Sequence, residues 1–207
     1  MDVSRIAVRD ARADEADAVS ALLARAFARN PFVRWLVPDN DRYARVGAGL
    51  FRIGVDREMA HGVVHTTDDH AGAALWLPPK SPAPGLLEQL RLAWTTLGLL
   101  GTRTALGIKA TLDMEKQRAA QPPNWYLTVL GTAPERQGSG VGGALLRPIL
   151  ERCDREGVAA YLESSDPANV TYYRRFGFEV VGELHFPDGP LMPLMLRPAL
   201  SVQNETL

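Results

Sequence analysis

The feature that most constrains the fold is the segment LTVLGTAPERQGSGVGGALLRPILERC, residues 127–153. It begins with apolar and β-branched residues, continues through a polar turn into closely spaced glycines, and ends in a pattern with helical spacing. Glycines allow the backbone to approach a ligand closely, and the free N–H groups at a helix N-terminus attract anions. The segment therefore predicts a strand, a turn and a helix whose first N–H groups, from Gln137 to Gly143, bind a phosphate-bearing ligand. Arg136 adds a positive charge beside them.

The composition limits the class of protein. A chain of 207 residues with 46% hydrophobic content can bury a core, which predicts a single domain over residues 1–200 and a tail over residues 201–207. The formal net charge of −1 and the interspersed charges argue against a nucleic-acid partner, which would need a basic face.

Three features of the sequence bear on the location of the protein and on membrane association. The lone cysteine, Cys153, excludes an intrachain disulfide and favours the cytoplasm, and its spacing indicates a small core residue rather than a nucleophile. The N-terminal segment lacks the apolar region of a signal peptide, and the apolar residues 90–108 are interrupted by arginines and glycines. We therefore expect no membrane partner.

Apolar periodicity predicts an alternation of strands and helices. Asp14 is expected to cap a first helix that ends at Asn30-Pro31, and a second helix from Asp41 to Met59 is expected to carry one apolar stripe. That stripe comprises Tyr43, Val46, Leu50 and Ile53. The remaining elements are a strand within residues 4–11, a hairpin over 62–67 and 71–78, helices over 86–100 and 103–118, a strand over 125–131, a helix ending near 157, a strand over 158–163, a short helix opening at 167–169, and strands over 178–184 and 191–196.

Two other kinds of site were considered and are not favoured. His61 and His65 would lie about 13 Å apart along a strand, too far to share a zinc ion, so no metal is expected. Gly138, Gly140 and Gly143 satisfy G-x-G-x-x-G, with Glu163 20 residues beyond Gly143. A dinucleotide fold is nevertheless disfavoured, because a polar segment separates the strand from the glycines and too few residues follow for further βαβ units. A plain tight turn would explain one or two of the glycines, but not four within six residues.

Two motifs then resemble one known family. The segment QGSGVGGA, which begins at Gln137, resembles the Q/R-x-x-G-x-G/A signature of the GNAT N-acetyltransferase superfamily, and NVTYYRRFGF, residues 169–178, resembles its N-x-x-x-Y-x-x-x-G-F segment. Longer stretches, among them NWYLTVLGTAPERQGSGVG and AYLESSDPANVTYYRRFGFEVVGE, resemble the puromycin N-acetyltransferase-like branch. The correspondence is weakest over residues 78–110, which we expect to border the acceptor pocket.

The resemblance implies a fold and an activity. The fold would be a single-domain, GNAT-like α/β fold with a mixed, mostly antiparallel sheet, splayed at the cofactor site and flanked by helices. The activity would be direct transfer of an acetyl group, in a ternary complex, from acetyl-coenzyme A as cosubstrate to an amine of a small molecule. An aminonucleoside such as puromycin is one candidate acceptor, which would connect the protein with antibiotic resistance. A protein lysine or N-terminal acetyltransferase and a non-catalytic acyl-coenzyme A sensor remain alternatives, and the chain would act as a monomer or homodimer.

The resemblance also implies roles for individual residues. Tyr173 would protonate the departing sulfur, and Glu163 is the first candidate for the general base, with Glu115 as the second. The residues implied in coenzyme A binding are Leu130, Gly131, Thr132, Arg136, Gln137, Gly138, Ser139, Gly140, Val141, Gly142, Gly143, Asn169 and Tyr173.

Overall fold

The computed structural model describes residues 6–81 and 94–199. Within them, seven strands form one sheet in the order β1-β2-β3-β4-β5-β7-β6. Only β4 and β5 pair in parallel, whereas the other neighbours are antiparallel. The strands are β1 Val8–Asp10, β2 Val63–Thr67, β3 Gly72–Leu77, β4 Asn124–Thr132, β5 Ala159–Glu163, β6 Glu179–His185 and β7 Leu191–Arg197. The predicted single-domain α/β fold with a mixed, mostly antiparallel sheet is confirmed.

Helices cover both faces of this sheet. They are α1 Ala16–Ala26, α2 Pro31–Leu36, α3 Asn40–His61, the helical residues 94–100 as α4, α5 Thr104–Ala119, α6 Val141–Glu156 and α7 Val170–Arg174. The first part of the helix predicted over 86–100, and the tail predicted over 201–207, lie outside the described residues. Within the described ranges, no helix is both long enough and apolar enough to span a membrane.

The core is divided by the sheet. On one face α1 and α3 pack against the sheet through a cluster that includes Leu23, Val55 and Leu75, all fully buried. On the other face α6 packs through a cluster that includes Trp76 and Leu145. The apolar side of α6, the helix that follows the glycine turn, therefore packs against the sheet. The glycine turn connects the N-terminus of this helix to the end of β4.

Two expectations about the first helices were wrong. Asp14 does not cap α1, because residues 13–15 form a short 3-10 turn before it. The carboxylate of Glu15 instead accepts a hydrogen bond from the backbone N–H of Arg12 at 2.8 Å and two from the Arg9 side chain. The first helix ends at Ala26, before the Asn30-Pro31 pair, and this pair instead begins α2, which the sequence interpretation missed.

The apolar stripe of α3 was predicted correctly at Tyr43, but beyond it the buried positions lie one or two residues after the predicted Val46, Leu50 and Ile53. The buried residues of this helix are Tyr43, Gly47, Phe51, Val55 and Glu58. They recur at the i+4 and i+3 spacing that puts side chains on one face of a helix. The buried stripe therefore ends in a carboxylate rather than in an apolar residue.

Candidate functional site

The centre of the site is the point where β4 and β5 separate. The two strands pair only between Asn124–Tyr126 and Ala159–Tyr161. Beyond these residues, β4 keeps its pairing with β3 through Thr132. The β4 edge over residues 127–132 thus faces an opening, and a ligand with amide groups can add to it as a strand would.

A β-bulge bends β4 at the same opening. Leu75 is paired with Val129 and Trp76 with Leu127, so Thr128 is an extra residue on β4 that has no partner on β3. The Thr128 hydroxyl donates a hydrogen bond to the Leu75 carbonyl at 3.2 Å. Bulges of this kind redirect side chains next to binding sites.

The glycine turn connects the end of β4 with α6. Gly138 and Gly140 have φ angles of 75° and 89°, in the left-handed region that favours glycine, and Gly140 is the N-cap of α6. The Ser139 hydroxyl donates to the Arg136 carbonyl at 2.6 Å, which closes the turn on itself. The free N–H groups at the start of this 16-residue helix form a binding site suited to an anion.

A cleft of about 600 Å³ runs past these elements. Of the residues predicted to bind the cofactor, all but Ser139 and Gly143 line it. They are Leu130, Gly131, Thr132, Arg136, Gln137, Gly138, Gly140, Val141, Gly142, Asn169 and Tyr173. The structure therefore brings nearly the whole predicted set together along one surface.

The charges of this cleft differ from the expectation. Arg136 is paired with Asp69, which offsets part of its positive charge. Arg29 and Arg175 also line the cleft, and Arg175 lies over the Tyr172 ring at 5.0 Å. Sequence interpretation missed both arginines, although Arg175 lies within the quoted tyrosine motif.

Tyr173 lies on the short helix α7, where two spaces in the protein adjoin. It lines the cleft and also a second, adjoining pocket. Its ring meets the Tyr172 ring edge-on, with 5.3 Å between the centroids. Burial, and the neighbouring Tyr172, raise the pKa of the Tyr173 phenol above its usual value, so the hydroxyl retains its proton at neutral pH.

The second pocket has a volume of about 290 Å³. It shares Phe27, Asn30, Leu130, Asn169 and Tyr173 with the cleft. Its remaining wall comes from α3, α5 and the ends of β4 and β5. The two spaces therefore meet beside Tyr173, as a donor site and an acceptor site must.

Asn30 fixes the shared wall of these spaces. Its side-chain oxygen accepts hydrogen bonds from the backbone N–H groups of Phe32 and Val33, at 3.1 and 3.2 Å. Its amide nitrogen donates to the Ser165 hydroxyl at 2.7 Å. One side chain thus caps α2 and attaches it to the loop that follows β5.

Glu163 lies at the end of β5, inside the second pocket. One carboxylate oxygen accepts a hydrogen bond from the Tyr126 hydroxyl at 2.6 Å. Burial raises the pKa of Glu163 to about 7. A carboxylate with such a pKa is suited to accept a proton near neutral pH.

Two further carboxylates line the same pocket. Glu115, on α5, is half exposed and lies 3.8 Å from Arg57. Glu58, on α3, is 1% exposed, and burial raises its pKa to about 7. Sequence interpretation missed Glu58, and the signal that could have found it is the i+3 step from the buried Val55.

Neither a metal cluster nor an activated cysteine contributes to this site. Across residues 6–81 and 94–199 there is no group of three or more His, Cys, Asp or Glu side chains that could hold a metal ion. Cys153, on the buried side of α6, lies in the core, and burial raises the pKa of its thiol to about 11.

Comparisons with known proteins agree with this geometry. Residues 104–178 match the Acetyltransferase (GNAT) family. A curated relative, an uncharacterized N-acetyltransferase of Schizosaccharomyces pombe, is 26% identical over 183 residues, which are 84% of this chain and 74% of the relative.

Solved structures show the same fold. A structure described as histone acetyltransferase HPA2 and related acetyltransferase, from Corynebacterium glutamicum, is similar with a TM-score of 0.68 and 25% identity, over 94% of this chain and 96% of that one. The PaiA N-acetyltransferase of Thermoplasma acidophilum, solved in complex with coenzyme A, is similar with a TM-score of 0.54 and 10% identity, over 93% of this chain and 98% of that one.

Proposed function

The chain is an acyl-coenzyme A-dependent N-acyltransferase of the GNAT type, and from that premise we propose that it acetylates an amine of a small molecule. The observation that carries the proposal is the meeting of the phosphate-suited cleft and the carboxylate-lined pocket beside Tyr173. Acetyl-coenzyme A would bind in the cleft and supply a thioester-activated acetyl group there.

The geometry of the cleft fits this cosubstrate. The N-terminus of α6 would hold the pyrophosphate, and the open edge at Leu130, Gly131 and Thr132 would bind the amides of the pantetheine arm. Asn169, at the start of α7, lines the same path. A backbone N–H of the open edge would donate to the thioester carbonyl oxygen as negative charge develops on it.

Proton transfer would involve Glu163 and Tyr173. The Glu163 carboxylate accepts a proton from the acceptor's ammonium group, which frees the nitrogen lone pair for attack. As the C–N bond forms and the C–S bond breaks, the Tyr173 hydroxyl donates its proton to the sulfur. The second proton that the nitrogen loses as it becomes an amide nitrogen restores the Tyr173 phenol. Direct transfer in a ternary complex is supported by the burial of Cys153, the one cysteine of the chain, away from the cleft.

The second pocket supports a small, cationic acceptor. Its volume of about 290 Å³ is at the lower end of the range for small-molecule sites. Glu58, Glu115 and Glu163 line it with Arg57 as a counter-charge, and this excess of carboxylates favours a protonated amine. The resemblance to the puromycin N-acetyltransferase-like branch makes an aminonucleoside one acceptor to test, with antibiotic resistance as its consequence. The cytoplasmic location and the monomeric or homodimeric state stay predictions.

Thiol release from acetyl-coenzyme A, measured with the purified protein alone and with a panel of amines, tests the proposal. The panel includes alkylamines, puromycin and lysine peptides. Release that requires one class of small amine supports the proposal, whereas release driven by the peptides alone would favour a protein acetyltransferase. Coenzyme A binding without release across the panel would favour a non-catalytic sensor.

Tyr173→Phe tests the acid role within the same assay. Because general acid catalysis contributes roughly 100-fold or more to a rate, kcat should fall by about that factor with little change in coenzyme A affinity. Tyr172→Phe is the matched control, since it removes a neighbouring phenol that lines the cleft but not the second pocket. An unchanged kcat in Tyr173→Phe would show that Tyr173 is not the acid.

A further inference from the structure

The second pocket contains two buried carboxylates, and the proposed reaction uses only one. In the described part of the chain, Glu58 Oε2 and Glu163 Oε1 are both buried without a hydrogen-bond partner. Buried carboxylate oxygens are normally hydrogen-bonded or paired with a charge, because removing them from water is costly. Two such atoms in one pocket indicate that a bound molecule satisfies them.

The two carboxylates lie at separate places along β4. Glu163 is hydrogen-bonded to Tyr126, whereas the Glu58 carboxyl lies beside Thr128. These two positions on β4 are two residues apart, which is about 7 Å along a strand. Glu58 therefore enters the pocket from α3, whereas Glu163 enters it from the end of β5.

The surroundings of Glu58 leave room for a ligand group. A Cβ built on Gly54, one helical turn earlier, would lie 3.7 Å from Glu58 Oε2. Gly54 itself lines the pocket, so the carboxylate faces free space on that side. Arg57, also on α3, lies 3.8 Å from Glu115, and its charge favours the ionised form of Glu58 without donating a hydrogen bond to Oε2.

The pocket that contains the two carboxylates also has apolar lining residues. Phe51, Leu127 and Met114 all line the pocket. A hydrocarbon segment can pack on these side chains while polar groups at its two ends reach the two carboxylates.

We propose that Glu58 binds the second ammonium group of a short diamine, whose first nitrogen is acetylated beside Glu163. This inference rests on the proposed function and specifies its acceptor class. The C–N bond forms at the first nitrogen as the C–S bond of the thioester breaks, and the protons move to Glu163 and from Tyr173 as described above. Glu58 makes and breaks no covalent bond, so it is a binding and positioning residue.

Burial of Glu58 is consistent with this role. Its pKa, raised to about 7 by burial, means that the ionised form is destabilised in the empty pocket. An ammonium group at hydrogen-bond distance restores the ionised form, because an opposite charge favours it. The pocket would therefore discriminate against an acceptor that leaves Glu58 without a partner.

The experiment compares putrescine, a short diamine, with butylamine, which has the same carbon chain and one ammonium group. For the wild-type protein we expect kcat/KM to be about 10- to 100-fold higher for putrescine, the range for a hydrogen bond to a charged group. Glu58→Gln should abolish that preference, because KM should rise far more for putrescine, which loses its second contact, than for butylamine. Asp56→Asn, an exposed acid on the same helix, is the matched control and should retain the preference.

Each of the other possible outcomes would refute a different part of the argument. Equal preference for putrescine in the wild type and in Glu58→Gln would refute the contact with the second ammonium group. A fall in kcat for both amines in Glu58→Gln would make Glu58 a base rather than an anchor. If the wild type acetylates other small amines but neither putrescine nor butylamine, the diamine inference is refuted and the proposed function stands. If it acetylates no small amine at all, the proposed function is refuted.

The folding of Glu58→Gln is checked by measurements that do not depend on enzymatic turnover. Coenzyme A binding by Glu58→Gln should resemble that of the wild type, and its thermal unfolding midpoint should be no lower, because glutamine avoids the cost of a buried charge. Calorimetric titration of putrescine into the coenzyme A-loaded protein should then show binding weakened by about 10-fold or more in Glu58→Gln. Undiminished putrescine binding would contradict the inference independently of the kinetics.

Discussion

Gly142, the second residue of α6, connects the two sequence motifs of this chain, and its substitution by alanine tests that connection. A Cβ at this position would lie 2.6 Å from the Tyr172 hydroxyl oxygen and 3.6 Å from Thr132 Oγ1. The first distance is well inside van der Waals contact, so the tyrosine ring or the start of α6 must move. Tyr172 belongs to the α7 motif, and both residues line the donor cleft. A shift of either residue should therefore disturb the binding of coenzyme A.

The expected magnitude follows from two opposing terms. Alanine is favoured over glycine in a helix by up to about 1 kcal/mol. Overpacking against a fixed neighbour costs about 1–3 kcal/mol. Gly142→Ala should therefore lower the free energy of unfolding by up to about 2 kcal/mol, and it should weaken coenzyme A binding.

Removing the hydroxyl should reverse the effect. The next nearest Tyr172 atom, Cζ, would lie 3.5 Å from the new Cβ, which is an ordinary contact. In a Tyr172→Phe background, Gly142→Ala should thus be neutral or stabilising by up to about 1 kcal/mol, the helix-propensity gain. The coupling free energy between the two substitutions should be about 1–3 kcal/mol.

Urea unfolding and coenzyme A titration of the wild type, both single variants and the double variant measure this coupling. Gly143→Ala is a control, because its Cβ would meet Phe176 at 3.2 Å, a milder contact that a small ring shift relieves. If the two substitutions add within about 0.5 kcal/mol, the steric argument is refuted. Unchanged coenzyme A affinity in Gly142→Ala would show that the start of α6 can move without affecting the donor site.

Three further predictions follow from individual groups. Gly140→Asp should abolish coenzyme A binding, measured by calorimetry, because it places a side chain at φ 89° and a negative charge at the phosphate site. If the affinity is retained, the pyrophosphate does not bind at the N-terminus of α6. The rate of acetyl transfer should decrease as pH falls through about 7, because Glu163 becomes protonated there. Glu163→Gln should lose most of its activity, and its remaining activity should not show this pH dependence. The free energy of unfolding should decrease as pH rises from 4.5 to about 7, because folded Glu58 holds its proton longer than unfolded Glu58. Urea unfolding of Glu58→Gln should show a smaller decrease, and an identical pH dependence would mean that Glu58 is not protonated in the folded state.

Much of the donor site could be predicted from the sequence, because its features are local in the chain. A left-handed φ angle at Gly138 and Gly140, and a helix N-terminus immediately after them, follow from residues within one short segment. The strand-turn-helix order follows from apolar periodicity in the same way. Of the predicted cofactor-binding residues, nearly all line one cleft in the structure, and their contacts with coenzyme A remain a prediction.

The acceptor side could not be predicted in the same way. Periodicity shows that α3 has an apolar face, but beyond Tyr43 its buried positions were placed one or two residues too early, and so the buried Glu58 was missed. The phase depends on which side of the helix meets β2 and β3, and those contacts join residues far apart in the chain. The i+3 and i+4 spacing from Tyr43 to Glu58 becomes informative only once the sheet is in place.

What the sequence by itself determined is the glycine turn and the helix N-terminus of the proposed donor site, since glycine conformations and helix termini depend on neighbouring residues. What only the tertiary structure decided is the charge and shape that a second substrate meets. Asp69, distant in sequence, offsets Arg136, and Asn30 attaches α2 to Ser165 across the opening of the sheet. Burial against distant residues raises the pKa of Glu58 and Glu163, because desolvation depends on the whole packed environment and not on the local sequence.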